Sequence, residues 1–438
     1  MTQTQGDDIS APMSEVDRIL SSKPILLSNP GTVLDTSLYY NYTNTTLIAA
    51  EQAANWGRYS QTLTSNLFGS TANVTIPNSS FLSGLYLYLE LPEVLADQYL
   101  MRGWGLNIIE NISFILGSSN VSQLTINGQS HAQMYMASAE TAEKRLKLLR
   151  LAGEEVTAVQ APGTINRAHV QLQLPWSKIN ALCRKLPVDS NILSNPIIVQ
   201  IKFRNRESIY GGSGIATAPT QFSSSRILAN QIDLANKDLS LKNYMLANPD
   251  MSYNYPFVFT QSYLTDVLSD GVNPAAINLV TIINADLLGI SFSVVQSANL
   301  QSDAIGANAL RPFDWERVRD ISLTFNGLIF YDSPGEMAEL YDCQDYPGSG
   351  DCPNSVVAAG GAGPYVTSPV DSQIYFMNFT RIRNTVWCDS YQNSIRIPNN
   401  ALNLSFITQS AATYRVFVTY WYNGAFNFKQ GQSALILE

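Results

Sequence analysis

The sequence predicts an all-β chain folded as two consecutive sandwiches of roughly 200 residues each. Three observations carry that prediction. From about Leu26 onward, short apolar runs recur at roughly 8–15-residue spacing, broken by Asn, Gly, Pro and Ser turns. Many runs alternate apolar with polar residues, as in Tyr414-Arg415-Val416-Phe417-Val418-Thr419-Tyr420, a period that places one face on a core and the other outward. Two halves of the chain also repeat one series of features in the same order.

Taken in order, residues 1–25 read as a flexible arm without a period, and within residues 1–20 Asp7, Asp8, Glu15 and Asp17 oppose a single basic residue, Arg18. The strands expected in the first half are Asn73–Pro77, Leu82–Leu91, Leu106–Leu116, Gln123–Ile126, Ala168–Leu174, Pro196–Phe203 and Arg226–Asp233. Those expected in the second are Pro256–Ser262, Leu279–Ala285, Gly289–Val295, Val318–Phe325 and Ile374–Thr380, then Ser394–Ile397, Ala401–Ile407, Tyr414–Tyr422 and Ala434–Leu437. One segment differs. His131–Ala152 is rich in Ala, Glu, Lys, Leu and Met and predicts a helix, with Ser130 as N-cap and Gly153 as its stop. Glu140–Lys144 and Glu143–Lys147 stand at i,i+4, and Met136, Ala139, Leu146 and Leu149 form an apolar stripe, so it reads as a surface helix covering the end of a sandwich.

Leu82–Leu91 and Gly289–Val295 precede Trp104 and Trp315; each Trp leads to an Ile-Ser strand (Ile112-Ser113, Ile321-Ser322), and each series reaches an Asn-Gly pair (Asn127-Gly128, Asn326-Gly327) that signals a hairpin turn. The Gly/Ser-rich stretch Ser208–Ser225 and the polar bridge Lys237–Ser252 lie between the series, which places the domains at 26–240 and 241–438.

Composition narrows the function. Of 438 residues, 26 are Lys or Arg and 35 Asp or Glu, or 14% charged, against about 25% in ordinary soluble domains. Asn, Ser, Thr and Gln fill the surface instead, while 45% apolar residues supply a large core and exclude a disordered chain. The net charge of −9 argues against a direct nucleic-acid partner. No run reaches the ~18 apolar residues of a membrane helix. The polar start implies no secretory signal, so the Asn-x-Ser/Thr triplets at Asn41, Asn44, Asn73, Asn78, Asn111, Asn120, Asn378 and Asn403 read as chance products of Asn/Thr-rich strands.

The search for chemistry leaves no catalytic, cofactor-binding or metal site. Phosphate-cradle, dinucleotide, zincin and nucleophile-elbow motifs are absent from the sequence. His131 reads as a solvated residue at a helix start and His169 as a residue on a strand face. Cys183, Cys343, Cys352 and Cys388 form no C-x-x-C; Cys343 and Cys352 flank a Pro/Gly-rich loop and either close a small disulfide or remain free thiols. Asp314 and Glu316, at alternate positions, suit either a glycosidase carboxylate pair or a salt-bridged turn with Arg317 and Arg319. The tryptophans Trp56, Trp104, Trp176, Trp315, Trp387 and Trp421 are scattered singly, as core plugs are.

The order of motifs resembles the double jelly-roll major capsid proteins of icosahedral double-stranded DNA viruses, those of the nucleocytoplasmic large DNA viruses and virophages. Leu26-Leu27-Ser28-Asn29-Pro30 with Tyr39–Asn44 is similar to that family's opening motif, and Phe81–Pro92 to its next strand. Gly103-Trp104-Gly105, Ile126-Asn127-Gly128-Gln129, Leu174-Pro175-Trp176 and Leu186-Pro187 follow in family order. So do Tyr253–Tyr263, Phe325-Asn326-Gly327, Gly335-Glu336, Ile374–Phe379, Ala401–Leu404 and Tyr420-Trp421-Tyr422-Asn423. Val33-Leu34-Asp35-Thr36 and Asp389-Ser390-Tyr391-Gln392 depart from the family pattern. The resemblance implies two eight-stranded jelly rolls with a helix inserted in a loop of the first, and a non-enzymatic major capsid protein of the virion. It implies a homotrimeric, pseudo-hexagonal capsomer, partnered by neighbouring capsomers, minor capsid or vertex proteins and an internal membrane. A minor virion protein (spike or vertex) and a jelly-roll carbohydrate-binding protein or glycosidase are the other readings.

Overall fold

The computed structural model describes residues 55–78, 81–95, 98–100, 103–115, 123–137, 147–148, 150–153, 166–172, 195–211, 214–233, 253–280, 286–300, 315–334, 374–378, 395–396, 402–429 and 432–437. The first strands are β1 (Asn55–Thr62), β2 (Thr71–Ile76), β3 (Phe81–Leu91), β4 (Tyr99–Leu100) and β5 (Ile109–Ile115). Then come β6 (Gln123–Asn127), β7 (Asn166–Leu172), β8 (Ile197–Phe203), β9 (Tyr210–Gly211) and β10 (Ser224–Asp233). Helix α1 (Trp104–Asn107) precedes β5, and α2 (Gly128–Ala137) follows β6 directly. The later strands are β11 (Tyr253–Ser269), β12 (Ala275–Leu279), β13 (Asp286–Gln296), β14 (Val318–Phe325) and β15 (Leu328–Ser333). The last are β16 (Tyr375–Asn378), β17 (Ile395–Arg396), β18 (Leu402–Thr408), β19 (Ala412–Lys429) and β20 (Gln432–Leu437).

Their pairing writes one topology twice. The first half forms the sheets β1-β10-β3-β7 and β2-β8-β5-β6, with β4–β9 as a separate short pair. The second forms β11-β19-β13-β16 and β12-β18-β14-β15, with β17 and β20 added at β13 and β19. In both halves one sheet joins the first, eighth, third and sixth principal strands and the other joins the second, seventh, fourth and fifth, which is jelly-roll order. No sheet mixes strands of the two halves among the described residues. The expected boundary at 240/241 and the arm 1–25 lie outside the described residues.

Alternation builds each core. Leu85, Leu87 and Leu89 of β3 point inward with Ile227 and Ala229 of β10 and meet Val74, Ile112, Phe114, Val199 and Ile201 of the facing sheet. In the second roll Ile290, Phe292 and Val294 oppose Leu323, Leu404 and Phe406. Phe292 stacks on Tyr375 and Phe406 at centroid distances of 5.0 and 5.8 Å. Each such side chain, removed from water, contributes about 2 kcal/mol.

The differences from the sequence reading have local causes. The first two residues of the expected Leu106–Leu116 strand, Leu106 and Asn107, belong to α1, because Gly103 at φ 64° turns the chain first. The strand expected at Leu279–Ala285 is Ala275–Leu279, and 281–285 lie outside the described residues. β1 and β15 escape the alternation rule: β1 carries only Trp56 and Tyr59 among polar residues and Gly57, with no period of two, and β15 opens with three consecutive apolar residues, Leu328-Ile329-Phe330, exposed at a sheet edge. The helix begins three residues earlier than expected. Ser130 is not its cap; Asn127 is, its Oδ1 accepting the Ser130 N–H at 2.7 Å. Residues 147–148 and 150–151 are helical, and Gly153 at φ 93° follows them as the expected stop. Residues 138–146, with both expected ion pairs' acidic members, lie outside the described residues.

The two Asn-Gly pairs prove different. Asn326 and Gly327, at φ 48° and 78°, make the two-residue turn between β14 and β15. Asn127-Gly128 turns no hairpin but passes from β6 into α2, and a Cβ at Gly128 would run into the Ile109 carbonyl oxygen. The repeat is therefore real at Trp104 and Trp315, each buried ahead of a fourth principal strand, and not at the Asn-Gly pairs. Gly128→Ala should cost about 2–3 kcal/mol through that backbone overlap, whereas Gly327→Ala, with open space around it, should cost about 1 kcal/mol of φ strain. Denaturant midpoints of the two variants measured side by side check this; equal losses would refute the tight contact at Gly128.

Candidate functional site: the seam between the two rolls

Between Val416 and Tyr422, strand β19 is buried on both faces. Val416, Val418, Tyr420 and Tyr422 enter the core of the second roll, while Phe417 and Trp421 on the opposite face join the core of the first. Registers β11–β19–β13 align Thr260 with Trp421 and Gly289, Ser262 with Thr419 and Ser291, and Leu264 with Phe417 and Ser293. The alternation in Tyr414–Tyr420 therefore does not leave a face outward as expected. Phe417 is 9% exposed and Thr419, Ser291 and Ser293 are fully buried, because α2 of the first roll lies on them.

Gln133 of α2 organises this contact. Its Nε2 donates to Ser293 Oγ at 3.0 Å and approaches the Phe417 carbonyl oxygen at 3.5 Å, which fixes the amide orientation. Its Oε1 then accepts the hydroxyls of Ser291 at 2.8 Å and Thr419 at 2.7 Å. Ser291 Oγ, its proton so used, accepts the Trp421 indole N–H at 3.1 Å. Ser130 Oγ lies 2.7 Å from Thr419 Oγ1 and 2.8 Å from Ser262 Oγ, extending the chain to β11. At the other end of the seam Trp315 Nε1 donates to Gln129 Oε1 at 2.8 Å, and Thr260 contacts Met134. Buried polar groups bonded in this way cost little, whereas stripped of a partner each costs about 1–3 kcal/mol.

Beyond α2 the same face reaches solvent. Asp266 and Arg415 pair there through two bonds of 2.7 and 3.0 Å, and the guanidinium holds the carboxyl below its ordinary pKa. Both side chains are substantially exposed, so the pair contributes at most about 1 kcal/mol.

The residues singled out from the sequence are dispersed. His131, expected in solvent, is fully buried in α2, because that helix is the seam and not a surface cover. His169 stands on the outer face of β7 with its ring 4.7 Å from Tyr88 at a steep angle; burial, then Arg167 and Arg58, lower its pKa. Glu316 is tied at both oxygens: Tyr414 Oη and the Gln409 N–H reach Oε1 at 3.0 and 3.2 Å, and Gln296 reaches Oε2 at 3.3 Å. Burial, with the Glu316 charge adding to it, raises the Tyr414 phenol. Trp104, Trp315 and Trp421 are core plugs, as read. Asp314 and the four cysteines lie outside the described residues. Among the described residues no group of three or more His, Cys, Asp or Glu gathers in a way that would hold a metal, and no helix is long and apolar enough to cross a membrane.

Gln133→Leu, nearly the same size, should lower stability by about 3 kcal/mol by stranding Ser291, Ser293 and Thr419, against about 1 kcal/mol or less for Arg415→Ala. Denaturant unfolding of the two variants tests this ranking, and a Gln133→Leu loss no larger than that of Arg415→Ala would contradict it.

No family model matches the sequence, and no curated protein matches it. Solved structures do. PBCV-1 VP54 superposes with a TM-score of 0.57 at 13% identity, over 87% of this chain and 97% of that one. The Faustovirus major capsid protein gives 0.56 at 10% identity with 100% of both chains covered. A chain of the Sputnik virophage gives 0.51 at 11% identity, over 87% and 88%. With the strand order found twice and the two rolls joined across a shared seam, this chain has the double jelly-roll fold of viral major capsid proteins.

Proposed function

We propose that this chain is a major capsid protein whose homotrimers form pseudo-hexagonal capsomers and tile the icosahedral shell of a double-stranded DNA virus. The observation that carries the reading is the doubled jelly-roll order in a single chain. Three such chains bring six similar sandwiches into one ring, the outline a shell with six-fold neighbours needs. The likeness in fold to the Faustovirus major capsid protein over both full chains points the same way. A surface of Asn, Ser, Thr and Gln with 14% charged residues suits many modest, wet contacts between copies without strong self-repulsion. The role is structural, not enzymatic: Glu316, one of the two carboxylates that suited a glycosidase, is committed to Tyr414, Gln409 and Gln296. Its place is the virion, and its partners are other copies, minor capsid or vertex proteins and an internal membrane, with no direct contact to nucleic acid.

Light scattering on the purified protein at micromolar concentration should report three times the chain mass of 48.2 kDa; a monomer that yields no larger particle on concentration would end the reading. The acidic arm, proposed to order on assembly and to staple adjacent capsomers from inside the shell, has its own test. Deleting residues 1–14 should leave the trimer intact and weaken shell formation, and unchanged assembly yield and salt tolerance would reduce the arm to a tail.

A further inference from the structure

The sequence contains three Asn-Gly pairs, at Asn127, Asn326 and Asn423, and one Asp-Gly pair, at Asp270. Such pairs share one intramolecular chemistry. The backbone nitrogen of the glycine, once deprotonated, can attack the side-chain carbonyl carbon of the residue before it, because no Cβ on the glycine blocks the approach. Reaction requires that the pair be free to rotate into the attacking geometry. Three of the four pairs are held. Asn127 caps α2, its Oδ1 accepting the Ser130 N–H at 2.7 Å. Gly128 is buried so closely on the Ile109 carbonyl oxygen that not even a methyl group fits. Gly424, after Asn423, sits inside β19 and pairs with Phe257 of β11 on one side and Leu437 of β20 on the other. Asp270 accepts the Val272 and Asn273 N–H groups on Oδ1 at 2.8 and 2.7 Å and the Asn273 side-chain amide on Oδ2 at 2.7 Å, and the Gly271 N–H is given to Ser269 Oγ at 3.2 Å. Those donors, the Asn273 backbone first, bring its pKa down to about 2, so it is an anion at neutral pH and a poor electrophile. Asn326-Gly327 differs. Both residues are exposed at the tip of the β14–β15 turn, at φ 48° and 78°, and nothing lies within 4 Å of the place a Cβ on Gly327 would take.

We propose that Asn326 is a site of spontaneous modification in the folded protein, where its side-chain amide is exchanged for a carboxylate through a cyclic imide formed with Gly327. Hydroxide removes the Gly327 N–H proton, and the nitrogen bonds to Asn326 Cγ. The Cγ–Nδ2 bond then breaks, and the departing nitrogen takes a proton from water and leaves as ammonia. Water next adds to one carbonyl of the imide and opens the ring. Cleavage of the new Cγ–N bond gives an aspartate with the original backbone. Cleavage of the old peptide bond gives an isoaspartate, whose main chain runs through the side chain and is one carbon longer. Nothing is oxidised or reduced, and water is the one co-reactant. Either product adds a negative charge to a chain whose net charge is already −9. Isoaspartate also lengthens a two-residue turn whose tight geometry sets the Phe325–Leu328 register, beside the exposed Leu328-Ile329-Phe330 edge. The step is intramolecular and needs no enzyme, so its extent records the age of each copy.

The test incubates the full chain folded and, in parallel, unfolded in urea, and follows the three Asn-Gly pairs over time by peptide mass mapping. In the unfolded chain all three should lose the amide at comparable rates, because the reacting atoms are the same. In the folded chain Asn326 should lose it at least about tenfold faster than Asn127 or Asn423, which react only through local opening. The rate at Asn326 should rise with pH, since the nucleophile is a deprotonated nitrogen. Gly327→Ala, whose methyl group crowds the attack, should suppress the reaction in a chain that still folds. If folded Asn326 keeps its amide as long as Asn127 does, the turn protects it and the proposal is wrong. Equal loss at all three pairs in the folded chain would show that the structure selects no site. Loss at Asn326 that Gly327→Ala leaves unchanged would remove Gly327 as the nucleophile, and an unfolded chain that retains all three amides would overturn the chemistry itself.

Discussion

The amide of Gln133 is the point on which the rest of the architecture depends. Each jelly roll closes its own core by alternation, and nothing in that alternation says how one roll sits on the other. Orientation comes from the hydrogen bonds across the seam, centred on one side chain that gives a proton to Ser293 and takes protons from Ser291 and Thr419, with Trp421 bonded in behind and the Ser130–Ser262 and Trp315–Gln129 bonds to either side. Apolar contact alone tolerates sliding, because its energy follows buried area and not direction. A set of buried hydrogen bonds tolerates little, since a small displacement strands several groups at once. The seam combines both: Phe417, Trp421, Val295 and Trp315 add their area to the core of the first roll, and the hydroxyls fix the register.

This arrangement explains an oddity of composition. A sheet buried on both faces normally reads as a continuous apolar run, yet β13 and β19 alternate apolar residues with Ser and Thr. That face is interior: its small hydroxyls, Ser291, Ser293 and Thr419, are bonded to one helix, and Phe417 and Trp421 beside them join the core of the first roll. The surface pair Asp266–Arg415 marks where that cover ends and ordinary solvent chemistry resumes on the same two strands.

The fold was largely legible in the sequence, and the seam was not. Strands such as Leu82–Leu91 and Val318–Phe325 announce themselves because one face must be apolar, and Trp104 and Trp315 mark equivalent places in each roll because only a buried site holds an indole so well. β1 is not legible because its sequence has no apolar alternation; its place comes from pairing with β10 along its whole length. The seam was hidden by the same rule that revealed the strands: Thr419 and Ser291 sit where a period of two predicts water. A usable signal existed, since positions facing solvent throughout would be expected to carry some Lys or Glu, and Ser291, Ser293, Phe417, Thr419 and Trp421 include neither. His131 departs from its expected exposure for the related reason that a helix with polar residues at its start reads as exposed in sequence, whereas here the sheet of the second roll covers it.

The order of strands in the sheet β11-β19-β13 has a kinetic side. The central member, β19, follows both of its partners in the chain, and it meets β11 across a separation of 149 residues at Asp266 and Arg415. Contacts so distant in sequence are slow to form, because the closure entropy is lost before any pairing energy returns. The first roll, with α2 already in place, has had time to fold by then. Until β19 arrives, β11 and β13 are separate edges with unpaired backbone groups, and the hydroxyl face of the second roll does not yet exist. The nascent chain therefore passes through a stage with one finished roll beside a sheet that lacks its middle, and this is the stage at which a cell's chaperones have most to protect.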